Sequence, residues 1–570
     1  MRLSHFFHDI MRKQNILSGQ HGQASVFVLA MLGVILLITV FLYQSGRLTS
    51  EKMQIQNGAD AAAFGASVLE ARSLNFAAYT NRAMVANEVA VGQLVGLLSF
   101  ADELKTSRKY AETYTLILDG IAGLLALTVA LAPAAPPIAA IGEGIATIGN
   151  VLGTAGDTLQ SFFKKIIPPT IKVLSIINGA YSTSQKIYQG ATYALILKYV
   201  DQSLQDNVAL ASDEKGPTLS PFGFIAMLGH IPSSWSGHTR IYSAADDDKK
   251  SQGMQRLAAT VRANRDGFSS GDPHDKTNRN WNFDLVRDFR IVKFSYGADS
   301  VGASELRATD KSYAWTAADG LVFEAKLKVS VKIPLTKKSI HESWGWNLPF
   351  GTGGFQAIET DAEKLQLLDI LPSTPKSIYG PRDQEVYGGA GNSGHLTAWP
   401  GIMAEMSGNT VAKYDGGLHS YRDSDEGYKP LFSFSAPYFL VGVTKPLKDL
   451  KKQGPKFSDH YDLYEYTASG SDQSNTIGAI AKSELYFARP TVEQVEKPNV
   501  FRPYWQARLV ETSNSERFLA LAIQQETVWL TADEADLIGG ESKILSDIMN
   551  VLAKVQQAIG KISKAISWLF

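Results

Sequence analysis

The sequence predicts an α+β fold with a single N-terminal transmembrane helix extended by a long helix. A helical hairpin, a β-rich antiparallel domain and a C-terminal amphipathic helix are expected to follow. Three observations carry this prediction: an uncharged apolar span at 24–43, a proline-free stretch rich in small residues after it, and apolar residues that alternate at 321–335. The chain has 570 residues, more than one domain usually holds, so two or three folded units are expected.

Residues 24–43 contain no charged side chain. A helix rises 1.5 Å per residue and crosses a hydrocarbon core of about 30 Å in roughly twenty residues, so this segment can span a membrane. No A-x-A cleavage site follows it, which favours an uncleaved signal-anchor over a removed signal peptide. Lys and Arg balance on the two sides of the span, so charge alone does not fix its orientation.

Residues 44–110 are predicted to continue the anchor as one long helix, unbroken to about residue 100. Proline, which interrupts helices, is absent between Met1 and Gly120. Small residues recur at helical spacing at Gly58, Ala62, Gly65 and Ala66. Small side chains let another helix approach closely, so this stripe predicts a packing face. Its neighbour is left open between another protein and a segment of the same chain.

Four groups of residues follow one another in a set order along this region. They are Gly22 and Gln23; Gly46 and Arg47; Gln56, Asn57 and Asp60; and Asn81, Arg82, Asn87 and Glu88. Together they resemble the N-terminal region of TadE/TadG-like proteins of Flp (Tad) pilus assembly, over about residues 20–95. The resemblance implies a single-pass anchor in the inner membrane, with residues 1–23 as a cytoplasmic tail and the bulk of the chain extracytoplasmic, in the periplasm. It also implies helix packing with other pilus-assembly proteins and a part in adhesion.

Two departures from that family pattern bear on the role. An acidic residue commonly precedes the Gly-Arg pair, whereas Gln44 and Ser45 stand there in this chain. A prepilin-peptidase substrate would carry Glu five residues after the cleavage-site glycine, whereas Phe27 is the fifth residue after Gly22. The sequence therefore favours an uncleaved, TadG-like component over a polymerising subunit.

Residues 111–212 are poor in charge, and Pro133, Pro136 and Pro137 interrupt an uncharged run. Since proline disfavours a straight helix, two arms that meet near Ala132–Pro137 are predicted, as a helical hairpin. A second membrane span broken at the prolines is the alternative, and it would place the following domain on the other side of the membrane.

Residues 213–536 are predicted to form the β-rich extracytoplasmic domain. Apolar and mostly polar residues alternate over Leu321–Leu335, as in a half-solvated strand. Further strand candidates are Arg290–Tyr296, Tyr438–Val443, Glu484–Ala488 and Tyr504–Glu511. Gly351–Gly354 and Gly388–Gly394 are interpreted as turns between strands.

Residues 537–570 are predicted to form an amphipathic helix. Eight apolar residues recur there at steps of three and four, namely Ile544, Ile548, Val551, Val555, Ile559, Ile562, Ile566 and Leu569. Packing against the hairpin is the preferred interpretation, and contact with a membrane or a partner is the alternative.

The sequence offers little catalytic chemistry. Zero cysteines exclude a disulfide framework and Cys-ligated metals, and a net charge of −1 without a long basic run speaks against nucleic-acid binding. His230 and His238 are the closest histidines in the large domain, and Asp472–Thr476 only partly resembles a metal-binding motif. No catalytic residue, metal ligand or cofactor is therefore predicted, and the chain is not expected to be an enzyme. An anchored enzyme acting on envelope glycans and a directly ligand-binding adhesin are the rival hypotheses, and the oligomeric state is left open.

Overall fold

The computed structural model describes residues 21–127, 134–209 and most of 216–520, with its larger gaps at 359–409 and 447–475. Two long helices come first, α1 at His21–Ala126 and α2 at Ala135–Ala209. Shorter helices follow: α3 at Pro221–Gly229, α4 at Ser236–His238, α5 at Lys250–Ala263 and α6 at Gly267–Ser270.

The strands of the described chain form three sheets. One sheet has five strands in sequence order: β3 at Trp281–Phe289, β4 at Val292–Ala308, β5 at Tyr313–Lys332, β6 at Ser339–Ile358 and β7 at Thr410–Lys413. The second has the order β1-β9-β10-β11, with β1 at Thr218–Leu219, β9 at Tyr438–Pro446, β10 at Thr476–Phe487 and β11 at Trp505–Val510. The third pairs β2 at Thr239–Tyr242 with β8 at Tyr421–Ser424. The strand pairs are antiparallel except β6–β7, so the α+β prediction is confirmed.

Helix α1 is a single helix of 106 residues. At a rise of 1.5 Å per residue it is about 160 Å long. The predicted continuity of the helix to about residue 100 is confirmed. The boundary that we placed at residue 110 lies inside α1, because Tyr110, Ala111 and Tyr114 are buried against neighbouring elements and hold the helix in place beyond it.

Helix α2 runs antiparallel to α1 and packs along it. Gly156 of α2 lies against the backbone of Lys105, Gln185 bonds to Asn81, and Tyr199 meets Gly65. Residue numbers thus rise along one helix as they fall along the other. Residues 128–133, which include part of the predicted hairpin tip, lie outside the described residues.

Strand β5 contains most of the strand predicted at Leu321–Leu335 and is paired with β4 on one side and β6 on the other. The prediction of a turn at Gly351–Gly354 is wrong, because these residues lie within β6. Here the glycines serve close approach: a Cβ at Gly351 would lie 2.6 Å from the carbonyl oxygen of Glu103, and one at Gly353 would meet the carbonyl oxygen of Ser99. Helix α1 packs directly on the sheet there.

The core forms clusters that follow one another along α1. Met84, Val91 and Val95 of α1 pack in one cluster with Ile171 of α2 and Trp315 of β5. A second cluster joins α1, near residues 55–66, to the other end of α2 and to β9 and β10. Helix α1 therefore runs through the fold, and α2 and the sheets pack around it and contact each other. The predictions for 537–570, Gly388–Gly394 and Asp472–Asn475 concern segments that lie outside the described residues.

Candidate functional site

The apolar span of α1 is largely exposed in the described chain. Val26, Leu29 and Phe41 are 69%, 75% and 73% exposed. By length and composition, this part of α1 can cross a membrane, and the partly buried Ala135–Leu204 stretch of α2 meets the same test. An apolar helix without a packing partner is what a membrane anchor requires. Gly22 and Gln23 begin this segment, and Gly46 and Arg47 follow it.

Helix α1 enters the core about two turns beyond the apolar span 24–43. The Glu51 carboxylate accepts a hydrogen bond from Lys445 Nζ of β9 at 3.3 Å, and both side chains are buried. Gln56 donates to Asp60 at 2.9 Å and to the carbonyl oxygen of Ile480 at 3.0 Å, while Asn57 is exposed. Gln56 thus joins α1 to the second sheet, Asp60 holds the Gln56 side chain within the helix, and Asn57 faces outward.

The small-residue face of α1 packs inside the chain. Gly58, Ala62, Gly65 and Ala66 are all buried. A Cβ added at Gly65 would collide with the ring of Tyr199 in α2. Of the two neighbours left open by the sequence, the structure supplies a segment of the same chain, and a role of this face toward another protein stays a prediction.

Asn81 lies at the centre of a buried polar network. Its Nδ2 donates to the carbonyl oxygens of Arg422 at 2.8 Å and Val500 at 2.5 Å, and its Oδ1 accepts from Gln185 Nε2 at 2.7 Å. Gln185 Oε1 accepts in turn from the backbone N–H of Arg422 at 2.8 Å. One amide of α1 therefore fixes α2 and two distant segments of the β-rich part at the same point.

Glu88 forms a second network two turns along α1. Its carboxylate accepts from Asn178 Nδ2 of α2 at 2.9 Å and from Trp315 Nε1 of β5 at 3.3 Å. Asn87 donates to the Asn178 side chain at 2.8 Å. Arg82, between these networks in sequence, is exposed. The motif residues of this turn thus divide into buried structural groups and one cation that faces solvent.

Gln185, Asn178 and Arg422 belong to these networks and were missed in the sequence. A signal was present for the two in α2. Ser175, Asn178, Ser182, Gln185 and Gln189 recur at steps of three and four residues, and all five are buried. A polar stripe on an otherwise apolar helix indicates a buried hydrogen-bonding face. For Arg422, in a short strand far along the chain, we find no such pattern.

Two carboxyl groups share the interface between α1 and the five-stranded sheet. Asp319 of β5 accepts from Arg279 Nε at 2.5 Å and from its Nη2 at 3.0 Å. Glu103 of α1 accepts from Ser300 Oγ at 2.7 Å. Burial, and then the charge of Asp319, raise the pKa of Glu103 well above its ordinary value. Arg279 pairs with Asp319, and within the described residues the enclosed Glu103 carboxylate has no cation of its own.

The two neighbouring histidines have structural surroundings. His230 Nε2 lies 2.5 Å from Glu70 Oε1, with both side chains buried. His238 packs edge-on against Trp505 and Tyr428. Burial, followed by the charges of His230 and Arg422, lowers the pKa of His238 to about 4. Among the described residues, no group of three or more His, Asp or Glu side chains could hold a metal ion.

The anchor, the Gly46–Arg47 pair and the first core residues of α1 lie on one continuous helix. Residues 22–72 match the family model described as Putative Flp pilus-assembly TadE/G-like. The predicted TadE/TadG-like resemblance is confirmed over these residues, which we call the Tad-like region. Asn81 to Glu88 lie beyond it. No curated protein and no solved structure matches the chain.

Proposed function

We propose that this chain is an inner-membrane-anchored, TadG-like component of Flp (Tad) pilus assembly, with its bulk on the extracytoplasmic side. One observation carries the proposal: the Tad-like region coincides with the exposed apolar segment of α1 and with the first buried residues of the core. The family match supplies the pilus context, and the exposed apolar helix supplies the means of attachment.

The role that the architecture supports is mechanical. Helix α1 passes from the anchor into the middle of the fold without a linker, and α2 and the sheets pack along it. A core held in this way cannot swing freely about the membrane, so it can present a fixed surface to neighbouring assembly proteins. The chain acts in this proposal as a structural protein and not as an enzyme.

Partner contact is proposed on the side of α1 that no other element of the described chain covers. The small-residue face is occupied by Tyr199 and its neighbours. Phe64 and Tyr79 are 42% and 62% exposed, and Asn57 and Arg82 are exposed on the same side of α1. An aromatic and cationic strip of this kind is a common composition for protein contact.

The enzyme alternative needs two carboxylates that face each other in an accessible cleft. The pair that the described residues bring together, Glu103 and Asp319, is fully buried against Arg279. A substrate would have to open the packing of α1 on the sheet to reach these groups. This arrangement favours the structural proposal.

The test is deletion of the gene, followed by counting pili and measuring surface adhesion. Loss of both, restored by the intact chain, is the expected result. Complementation with Tyr79→Ala plus Arg82→Ala should fail although the protein accumulates, whereas Lys109→Ala, an exposed change elsewhere on α1, should succeed. Normal pili with lost adhesion would favour the adhesin, and no change in either would refute the pilus role.

A further inference from the structure

The side of α2 that points away from α1 is apolar over much of its length. Six large apolar side chains there are between 45% and 67% exposed. Their steps along the helix keep them on one side of it. We call this set the outer stripe; its members are Phe162, Ile166, Val173, Ile176, Ile187 and Leu195.

The outer stripe is additional to the face that α2 uses in the fold. Ile167, Ile171, Ile196 and Val200 fill the opposite side and are fully or almost fully buried. A helix that is apolar on two opposite sides is typical of a middle layer, yet within the described residues α2 is an outer layer. Contiguous exposed apolar surface of this extent marks a contact site.

The direction of α2 argues against the membrane as the cover. Helix α2 lies alongside the part of α1 that has already left the anchor, with Tyr199 near Gly65 and Gly156 near Lys105. The outer stripe therefore runs along the axis on which α1 leaves the anchor. It does not lie across that axis, as a surface resting on the same bilayer would.

The charges around the outer stripe indicate the composition of the segment that packs on it. Residues 158–200 contain five Lys and neither Asp nor Glu. All five are exposed, and Lys165, Lys172, Lys186 and Lys198 lie on or beside the stripe, whereas Lys164 lies over the Phe355 ring. The matching segment should combine an apolar stripe of similar length with acidic side chains.

Residues 521–570 of this chain contain an acidic part, 521–542, followed by an apolar repeat, and 543–570 also contain four Lys. Between 521 and 542 there are five acidic residues and no Lys or Arg: Glu526, Asp533, Glu534, Asp536 and Glu541. The apolar repeat then runs from Ile544 to Leu569, the same number of residues as from Phe162 to Ile187. As helices, the two stripes would have equal length.

The described chain also ends within reach. Ala520 packs with Phe222 and Leu440 on the second sheet. The 24 residue steps from Ala520 to Ile544 can extend over about 80 Å. The second sheet packs near Val200, so the segment would arrive from the end of α2 that carries Lys186 and Lys198.

We propose that Ile544–Leu569 docks along the outer stripe as a helix antiparallel to α2, with residues 521–543 as the connection from Ala520. The acidic residues would lie beside the lysines near Lys198, with Ile544 near Ile187 and Leu569 near Phe162. Val555 then lies opposite Ile176. This inference does not depend on the pilus role.

The absence of cysteine from the chain makes the test clean. Val173→Cys reports on the stripe, and Ser161→Cys, an exposed position about 110° from the centre of the stripe, is its matched control. Membranes that contain the full chain are treated with a membrane-impermeant maleimide. Val173→Cys should react at least about tenfold faster when residues 537–570 are deleted, while Ser161→Cys should react equally in both chains.

Two further variants keep the test decisive if the shortened chain does not accumulate. Val551→Asp with Val555→Asp should free the stripe to the same extent as the deletion. Ile176→Cys with Val555→Cys should form a disulfide within one chain on mild oxidation. A disulfide between two chains would assign the stripe to a second copy. If Val173→Cys still reacts slowly after residues 537–570 are deleted, a different partner covers the outer stripe. If Val173→Cys reacts fast in both chains, the stripe is uncovered. Each of these results overturns the proposal.

Discussion

Asn81 is fully buried, and each of its side-chain polar atoms has a partner in another part of the fold. The Asn81→Ala substitution would leave two backbone carbonyls and one amide N–H of Gln185 short of a partner. Each unsatisfied buried group costs about 1–3 kcal/mol, so the free energy of unfolding should fall by roughly 2–4 kcal/mol. Chemical denaturation in detergent, followed by circular dichroism, measures the loss.

Arg82→Ala is the matched control for that change, because Arg82 is the next residue of the same helix and is exposed. Its effect on unfolding should stay within about 0.5 kcal/mol. Equal effects of the two substitutions would show that the Asn81 network does not stabilise the fold.

His238 should make stability depend on pH. The unfolded chain binds a proton at this residue near its ordinary pKa of 6.5, whereas the folded chain binds it only near a pKa of about 4. The unfolded state therefore holds more protons between these values, and the free energy of unfolding should decrease as the pH falls from 6.5 to 4. His238→Phe keeps a ring beside Trp505 and should flatten this part of the profile, as denaturation at several pH values would show. An unaltered profile would contradict the assignment.

Single residues were predictable from the sequence only where a motif named them. Asn81 and Glu88 stood out through the resemblance, but the sequence did not say that they are buried while Arg82 is exposed. Helical spacing alone does not decide this, because the sheets and α2 surround α1 from several sides at this level. Arg422 contacts α1 from 341 positions away in sequence, and local patterns carry no information about such a contact.

At the scale of elements, the contact between α1 and α2 depends on glycine at specific points. A Cβ at Gly156 would strike the backbone of Leu104 and Lys105, whereas a Cβ at Gly190 of the same helix would meet nothing. Gly156→Ala should therefore destabilise the fold by about 1–3 kcal/mol through overpacking. Gly190→Ala should stabilise it by up to about 1 kcal/mol, because alanine favours the helix. Thermal melts of the two variants give the comparison, and a shift in the same direction for both would refute this close approach.

The sequence pattern predicted α1 through its long proline-free run and β5 through its alternating apolar residues. It failed at Gly351–Gly354, because a cluster of glycines is the usual mark of a turn. In β6 the same residues mark the line along which a helix backbone rests on the sheet. The spacing of the glycines is the same in a turn and in a close contact between a helix and a sheet. Only the position of α1 shows which of the two is present.

At the scale of the whole molecule, the anchor and the folded part should be separable. Residues 24–50 are exposed or half-exposed, and burial begins at Glu51. A chain that starts at residue 46 should therefore be soluble and unfold cooperatively. A chain that starts at residue 67 lacks Ile55, Ala62 and Ala66 of the core and should not fold. Size-exclusion chromatography and denaturation would test both, and aggregation of the longer chain would show that the anchor contributes to folding.

The packing of the helices and the β-rich part into one core could not be predicted from the sequence. The sequence indicated a long helix, a second helical part and a β-rich part as successive units. In the structure these parts share one core, since Asn75 of α1 bonds to the backbone of Trp505 430 residues later. Local patterns predict elements, but the choice of neighbours depends on packing between distant segments.

The unbroken α1 also sets a rotational phase between the membrane and the folded part. One residue inserted between Gly46 and Ser50 would turn everything beyond it by about 100° relative to the anchor, whereas seven residues would restore the original facing to within about 20°. If assembly depends on which side of the protein meets its neighbours, piliation should fail with one inserted residue and return with seven. Stability would be unchanged in both, since these positions are exposed. The helix would then fix the orientation of the folded part about the helix axis relative to the anchor.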